Sequence, residues 1–400
     1  MSAVPQYRTL ADVDLAGKRV LLRAGFDVPI ENGKVHDHTR IEAILPTMKH
    51  ILDAGASLIL LSHQGRPKGT VDLAFTQRPL VPVLSELLGR PVAFADSCTG
   101  EETLAATKQL KPGDVLLLEN LRFDPREEKN DPAFAAELAS LGDLYVNDAF
   151  TNSHRDHASM TTLATLLPSC MGLQLEEEVS HLSKALVDPK RPLTLIVSGV
   201  KMETKIPVIK RFLEGGDDVL LGGAIANTFL AARGVDVSKS KYETEWIETA
   251  REILALSGKD GHATIHLPTD AVTAPEPSAE AATVESSIEA LPDAAIFDVG
   301  PKTASAYATI IEGSGTVVWN GPLGFMEIEH FAGSSKVVAE AISRATQKGT
   351  ISIVGGGDTI DFHERYGLSL SAYTFVSTGG GAMLEFIGGG GLPALAVLEK

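Results

Sequence analysis

Cysteine is nearly absent from this 400-residue chain; only Cys98 and Cys170 are present. Two thiols so far apart supply no disulfide framework and no zinc-ligand spacing, which points to a reducing cytoplasm. Positive charge is also scarce. Lys and Arg total 35 against 52 Asp and Glu, a formal net charge of -17. That balance excludes general nucleic-acid binding and attraction to anionic membrane surfaces, though local basic clusters for a small anion stay open. No apolar run approaches the ~18 residues of a membrane span, and the first residues lack a signal-peptide core. Two nucleotide fingerprints are missing as well. There is no G-x-x-x-x-G-K-[ST] and no G-x-G-x-x-G, so the chain is neither a P-loop NTPase nor a standard dinucleotide-binding enzyme.

What is present is an alternation of short apolar runs with amphipathic stretches. Runs at 19–23, 57–61, 91–95, 115–118 and 143–146 alternate with helical patterns at 39–54, 79–88, 99–110 and 132–141. The alternation resumes with runs at 193–197, 219–221, 264–267, 294–297, 316–318, 351–354 and 374–376. This rhythm predicts an α/β fold with mostly parallel sheets and helices on both faces. Four hundred residues suggest two such domains. The pattern of Leu173, Leu175, Val179, Leu182 and Leu186 predicts a long connecting helix over 166–186. The expected division is 1–172 plus 388–400 as one domain and 173–387 as the other. The acidic, alanine-rich stretch 274–292 reads as a surface excursion, and 388–391 as a glycine joint.

The loops after the strands carry the chemistry, because open α/β sheets bind ligands at their carboxyl edge. In the first half these loops hold His36, His38, Arg40, His63, Arg66, Arg122, His154, Arg155 and His157. Arginine's planar fork suits phosphate and carboxylate, so a basic pocket for a small polyanion is expected. Each residue alone could equally be a solvated loop side chain. In the second half the loops hold glycines. The stretch Gly355-Gly356-Gly357-Asp358-Thr359 leaves a strand for a helix, where bare N–H groups favour an anion and Asp358 favours a divalent cation beside it. The plain alternative is a tight turn. Lys201 and Lys205 lie four apart, which predicts one helical face directed at a phosphate.

These motifs, taken together and in order, resemble the phosphoglycerate kinase family over essentially the whole chain. The carrying stretches are Ser62–Pro67, Leu118–Phe123, Asn147–Phe150 with His154, Arg155 and His157, Val200–Ile206, Asp298–Thr303, Val318–Gly324, Gly355–Thr359 and Ser377–Ala382. The resemblance implies two doubly wound, Rossmann-like parallel-sheet domains separated by a cleft and joined by a helix. The N-terminal domain would bind 3-phosphoglycerate and the C-terminal one the nucleotide. A last segment would cross back to the N-terminal domain. It implies reversible phosphoryl transfer between ATP and 3-phosphoglycerate, giving ADP and 1,3-bisphosphoglycerate, with Mg²⁺, in glycolysis, by a cytoplasmic monomer.

By resemblance, His63, Arg66, Arg122 and Arg155 would hold the glycerate's phosphate. Arg40 would reach its carboxylate and the transferring phosphoryl, and Lys201 would track that phosphoryl. Lys205 would meet the nucleotide phosphates, Asn320 and Pro322 would lie along the nucleotide, and Glu327 would bind its ribose. Gly356, Gly357, Asp358 and Thr359 would hold the phosphates, Asp358 supporting the metal. Gly380 and Gly381 would offer N–H groups to the transferring group. The chain departs from the family's usual Arg-Val-Asp-Phe-Asn-Val-Pro, reading Arg23-Ala24-Gly25-Phe26-Asp27-Val28-Pro29. Gly25 lacks a hydrogen-bonding side chain, and Asp27 sets a negative charge beside an anionic substrate. The usual Gly-Gly-Ala-Lys reads Ser198-Gly199-Val200-Lys201, which narrows the space beside the nucleotide. A working kinase with altered substrate affinity is expected; the alternative is a paralogue with an intact nucleotide site and a changed carboxylate substrate. A non-enzymatic two-lobed binding protein and a nicotinamide dehydrogenase are the more distant readings.

Overall fold

The structure, a computed structural model, describes residues 5–259 and 261–400. The chain divides into two compact units, one reaching to Ser180 and including Gly391–Lys400, the other spanning His181–Gly390.

The unit that begins the chain is built on a six-stranded parallel sheet. Its spatial order is Val92–Ala95, Val115–Leu118, Ser57–Leu61, Arg19–Ala24, Leu144–Asp148, Ser169–Met171. The central strands are buried on both faces, so their near-continuous Val/Leu/Ile runs satisfy the sheet without alternation. Helices such as Thr39–Asp53 and Leu80–Leu88 cover it, packing Ile41, Ile44, Met48, Leu80 and Leu84 against Val20, Leu22, Leu58 and Leu60. The end of the chain returns here. The Ala394 N–H donates to the Ser153 carbonyl (3.2 Å), Arg8 Nη2 donates to the Val397 carbonyl (2.6 Å), and the Lys400 N–H reaches the Gln6 carbonyl (2.8 Å).

The second unit has a parallel sheet ordered Thr264–His266, Asp218–Leu221, Leu193–Val197, Thr316–Asn320, Ile351–Gly355, Phe375–Ser377. In chain order this is 3-2-1-4-5-6, the doubly wound order whose reversal point opens a ligand crevice at the strand ends. That point falls between Val197 and Asn320, paired neighbours. Trp319 is wholly buried behind it with Phe362, Ile342 and Val354.

The structure corrects four sequence-based expectations. The stretch 166–186 is not one helix. A helix ends at Leu166, Ser169–Met171 pairs in parallel with Tyr145–Asn147, and the connecting helix is Leu173–Val187. Pro168 cannot continue a helix and biases its predecessor toward extended backbone. The run at 294–297 does not join the parallel sheet. It extends to Ala295–Val299, which pairs antiparallel with Asp270–Ala274 in a separate three-stranded sheet. The stretch 274–292 is more than an excursion, since Val284–Ser287 is the third strand of that sheet. Its small and polar residues gave no periodic signal. Finally, Lys201 and Lys205 do not share a helical face. The helix is Ile206–Gly215, Lys205 is its cap and Lys201 lies in irregular backbone ahead of the preceding turn. Pro207 belongs to a first helical turn, where its missing N–H is harmless, so the helix starts after the lysines.

Candidate functional site

In the N-terminal unit the site grows from the loop after Ser57–Leu61. Gly65 has φ +57°, and a Cβ there would lie 2.3 Å from the Phe75 ring, so the turn needs glycine. Asn120 ties this loop to the next. Its Nδ2 donates to the Gln64 and Phe75 carbonyls (2.8 and 2.9 Å), and its Oδ1 accepts the Arg122 N–H (3.0 Å). Arg122 in turn donates from Nη1 to the Gly65 carbonyl at 2.7 Å. The rest of this guanidinium is underused. Nη2 is buried with no hydrogen-bond partner, and Nε sits 3.2 Å from Glu128 Oε1 but out of line for a hydrogen bond. Burial holds this arginine below its ordinary pKa. A buried cationic donor left open is costly unless an anion completes it.

His63 stands beside it, 1% exposed. Its Nδ1 lies 3.0 Å from Arg23 Nη2, and its Nε2 lies 3.7 Å from Asp27 Oδ2. Burial first, then the neighbouring Arg23 and Arg122 charges, hold His63 well below its ordinary pKa. Asp27 accepts the Gly65 N–H on Oδ1 at 2.9 Å, and its carbonyl accepts from Arg40 Nη1. The structure therefore joins Asp27 directly to Arg40 and His63, and links Arg122 to Asp27 through Gly65. Arg66 is exposed and Arg155 half-buried, its Nε 3.5 Å from His154 Nε2. A Cβ on Gly25 would meet Thr151 Oγ1 at 3.2 Å. Sequence reasoning missed Arg23, Glu127 and Ser159, which are buried behind His63. A charged residue inside an apolar strand run was the available signal for Arg23. Glu127, within the run Arg126-Glu127-Glu128-Lys129, gave none.

In the C-terminal unit, two helices begin at adjacent points. Gly357–Arg365 follows Gly356, and Gly380–Ile387 follows Gly379. A Cβ built on Gly380 would be only 3.8 Å from the Gly357 nitrogen, so the two N-termini converge. Both present first-turn N–H groups ahead of their hydrogen-bond ladders. Gly356 has φ +104°, and a Cβ there would approach Asn320 Nδ2 to 2.8 Å. Lys205 donates to Asn320 Oδ1, whose Nδ2 donates to the Gly355 carbonyl at 2.9 Å. Burial lowers Lys205 to about 8, opposed by the charge of Asp358. Asp358 is exposed in the first turn, close enough for its charge to act on Lys205.

Thr359 faces inward. Its Oγ1 accepts the Gly321 N–H at 2.8 Å and donates to the Gly355 carbonyl at 3.1 Å, which braces the Asn320–Gly321 turn against the glycine loop. Behind it, His363 is held between the Thr359 carbonyl and the Tyr373 hydroxyl, both at 2.6 Å. Lys201, Glu327 and Gly381 are exposed, and Gly380 is half-buried.

Beside the cradle is a largely apolar cavity of about 360 Å³, lined by Val200, Ala224, Ile288, Phe297, Pro322 and Leu323 among others. Its size suits a small organic ligand. Pro322 thus meets the cavity, while Asn320 does not line it and bonds instead to Lys205 and Gly355. Phe297 comes from the strand Ala295–Val299 that sequence reasoning assigned to the parallel sheet, and Ile288 from the short 3-10 turn that follows Val284–Ser287. Asp298 fixes this wall by accepting the Ser334 and Val299 N–H groups at 3.0 and 2.9 Å.

The chain matches the family model described as "Phosphoglycerate kinase" over residues 10–390. It is 47% identical to the phosphoglycerate kinase of Moorella thermoacetica over 393 residues, 98% of this chain and 99% of that protein. It is 46% identical to that of Methylorubrum extorquens, covering 98% of both. Among solved structures it is similar to phosphoglycerate kinase from Coxiella burnetii, with a TM-score of 0.89, 36% identity, and coverage of 98% and 99% of the two chains. The Pyrococcus horikoshii enzyme gives a TM-score of 0.83 at 31% identity, with 98% of each chain covered.

Proposed function

The chain belongs to the phosphoglycerate kinase family, and we propose that it transfers the γ-phosphoryl group of ATP reversibly to the carboxylate of 3-phosphoglycerate. The products are ADP and 1,3-bisphosphoglycerate, and the step belongs to glycolysis and its reversal. The observation that carries the reading is the convergence of two glycine-led helix N-termini beside Lys205 and an apolar cavity. That combination suits a polyphosphate attached to an aromatic base.

In this reading the N-terminal unit binds the glycerate. The open donors of Arg122, with His63, Arg66 and Arg155, take its phosphate, and Arg40 takes its carboxylate. The C-terminal unit binds the nucleotide. Pro322 lies against it, Glu327 meets the ribose, and Lys205 with the N–H groups of Gly356, Gly357 and Asp358 meets the phosphates, while Thr359, whose N–H donates to the Gly356 carbonyl, holds the loop around them. Asn320 orients Lys205. A carboxylate oxygen forms the new bond to the γ-phosphorus while the bond to the leaving ADP oxygen breaks. The nucleophile is already ionised, so no general base is needed, and catalysis rests on positioning and charge neutralisation. Arg40, Lys201 and the Gly380 and Gly381 N–H groups neutralise the transferring phosphoryl.

Among the described residues no group of three or more His, Cys, Asp or Glu side chains could hold a resident metal. Asp358 alone fits the way Mg²⁺ is usually held, by one carboxylate plus substrate phosphates and water. Such an ion would neutralise phosphate charge. No helix in the described residues is long and apolar enough to cross a membrane, and both cysteines are free. Free thiols fit a reducing compartment, and this reading takes the enzyme as a cytoplasmic monomer.

Calorimetry separates the two half-sites. Lys205→Met should weaken ATP binding and leave 3-phosphoglycerate binding unchanged, and Arg122→Leu should do the reverse. If either variant weakens both ligands equally, or neither, the division of roles is wrong.

A further inference from the structure

The Arg23 side chain is wholly buried, with a partner at each of its three nitrogens. Its Nε donates to Ser159 Oγ at 3.0 Å, one terminal nitrogen donates to the Ala24 carbonyl, and Nη2 points at His63 Nδ1 from 3.0 Å. Ser159 is itself clamped. Its Oγ–H donates to Glu127 Oε1 at 2.6 Å, and its N–H donates to Glu127 Oε2 at 2.9 Å. Glu127 is fully buried and supplies the counter-charge. A guanidinium has donors only, so His63 Nδ1 must present its lone pair. The ring's one proton then sits on Nε2, the nitrogen on the Asp27 side.

We infer that Arg23 is a positioning residue which, braced by Ser159 and Glu127, locks His63 as the neutral Nε2–H tautomer, so that His63 meets the substrate's anionic group as a fixed hydrogen-bond donor rather than as a titrating cation. This rests on the substrate reading above. The groups facing His63 agree with it. Arg23 from the central strand, Arg40 from the Thr39–Asp53 helix, Arg122 from the following loop, and His157 all disfavour a charge on the ring. Among the described residues Asp27 is the one carboxylate in ion-pair range of its Nε2, at 3.7 Å. A histidine held this way donates equally well on either side of neutral pH, which an ordinary one cannot do.

The experiment has two arms. Long-range ¹H–¹⁵N correlation NMR of the ligand-free wild-type protein reads the ring directly and does not depend on activity. Nδ1 should appear unprotonated and Nε2 protonated, unchanged between about pH 5.5 and about pH 8.5. A proton on Nδ1, or a titration within that interval, overturns the inference. The second arm is Arg23→Gln, assayed kinetically. KM for 3-phosphoglycerate should rise about tenfold at pH 8, with a much smaller change in kcat. Because the substrate phosphate titrates near pH 6, the quantity read is the ratio of variant to wild-type KM. That ratio should shrink as pH falls through about 6.5, where the released imidazole gains charge. A ratio of one, or a ratio flat with pH, overturns the inference. If Arg23→Gln does not fold, the NMR arm decides alone. Absence of turnover in the wild-type protein would instead count against the substrate reading and leave the NMR result standing.

Discussion

Thr359→Val is nearly isosteric, and the structure specifies what it should do. The Thr359 hydroxyl makes two bonds, one received from the Gly321 N–H and one given to the Gly355 carbonyl. Removing it does not strand the carbonyl, which still accepts from Asn320 Nδ2 at 2.9 Å. It does strand the Gly321 N–H in a buried position. An unsatisfied buried donor costs about 1–3 kcal/mol. For a unit of roughly 200 residues, a loss of about 2 kcal/mol lowers Tm by about 4–8 °C. Both tryptophans, Trp246 and Trp319, lie in the same unit as Thr359, so intrinsic fluorescence follows that unit's unfolding. KM for ATP should rise several-fold because the loop is less well braced, and Thr359→Ser should recover most of both effects. If the hydroxyl instead touched the phosphates directly, Thr359→Val would raise KM and leave Tm unchanged. That outcome would refute the bracing role.

Lys205 gives a pH prediction. Its folded pKa of about 8 lies below the ordinary lysine value of about 10.4. The folded state therefore binds fewer protons than the unfolded chain between those values, and the C-terminal unit should gain stability as pH rises through that window. Nucleotide affinity should move the other way, with kcat/KM for ATP falling above pH about 8; Lys205→Arg should abolish the fall, and a wild-type profile that stays flat would contradict it. Gly65→Ala must adopt φ +57° and drive a methyl group into Phe75, so urea unfolding should show the N-terminal unit weaker by at least about 2 kcal/mol. Replacing Asp27 with Asn removes a carboxylate from beside His63. KM for 3-phosphoglycerate should fall about fivefold, the value of roughly 1 kcal/mol of relieved repulsion. An unchanged KM would mean that Asp27, held by the Gly65 N–H, does not oppose the substrate.

The alternating rhythm made the parallel sheets legible, because strands buried on both faces announce themselves as short apolar runs. The carboxyl-edge loops were legible for the same reason, since topology sends every ligand-facing residue to one edge. Three things were not. Pro168 and a three-residue strand broke a helix whose Leu spacing looked continuous. The cavity wall takes Phe297 from an antiparallel strand and Ile288 from the 3-10 turn after the small, polar strand Val284–Ser287, which has no periodic signature. The cluster of Glu127, Ser159 and Arg23 depends on long-range packing over 136 residues of sequence between Arg23 and Ser159. Thr359 was legible as a site residue, but the inward direction of its hydroxyl follows only from Gly321 lying over it.

The most direct measurement is turnover by the purified protein of ATP and 3-phosphoglycerate, with Mg²⁺ and with EDTA, the acyl phosphate being drawn off by glyceraldehyde-3-phosphate dehydrogenase and NADH. The account predicts robust NADH oxidation that needs both substrates and disappears with EDTA. ATP binding without any 3-phosphoglycerate-dependent oxidation would contradict it.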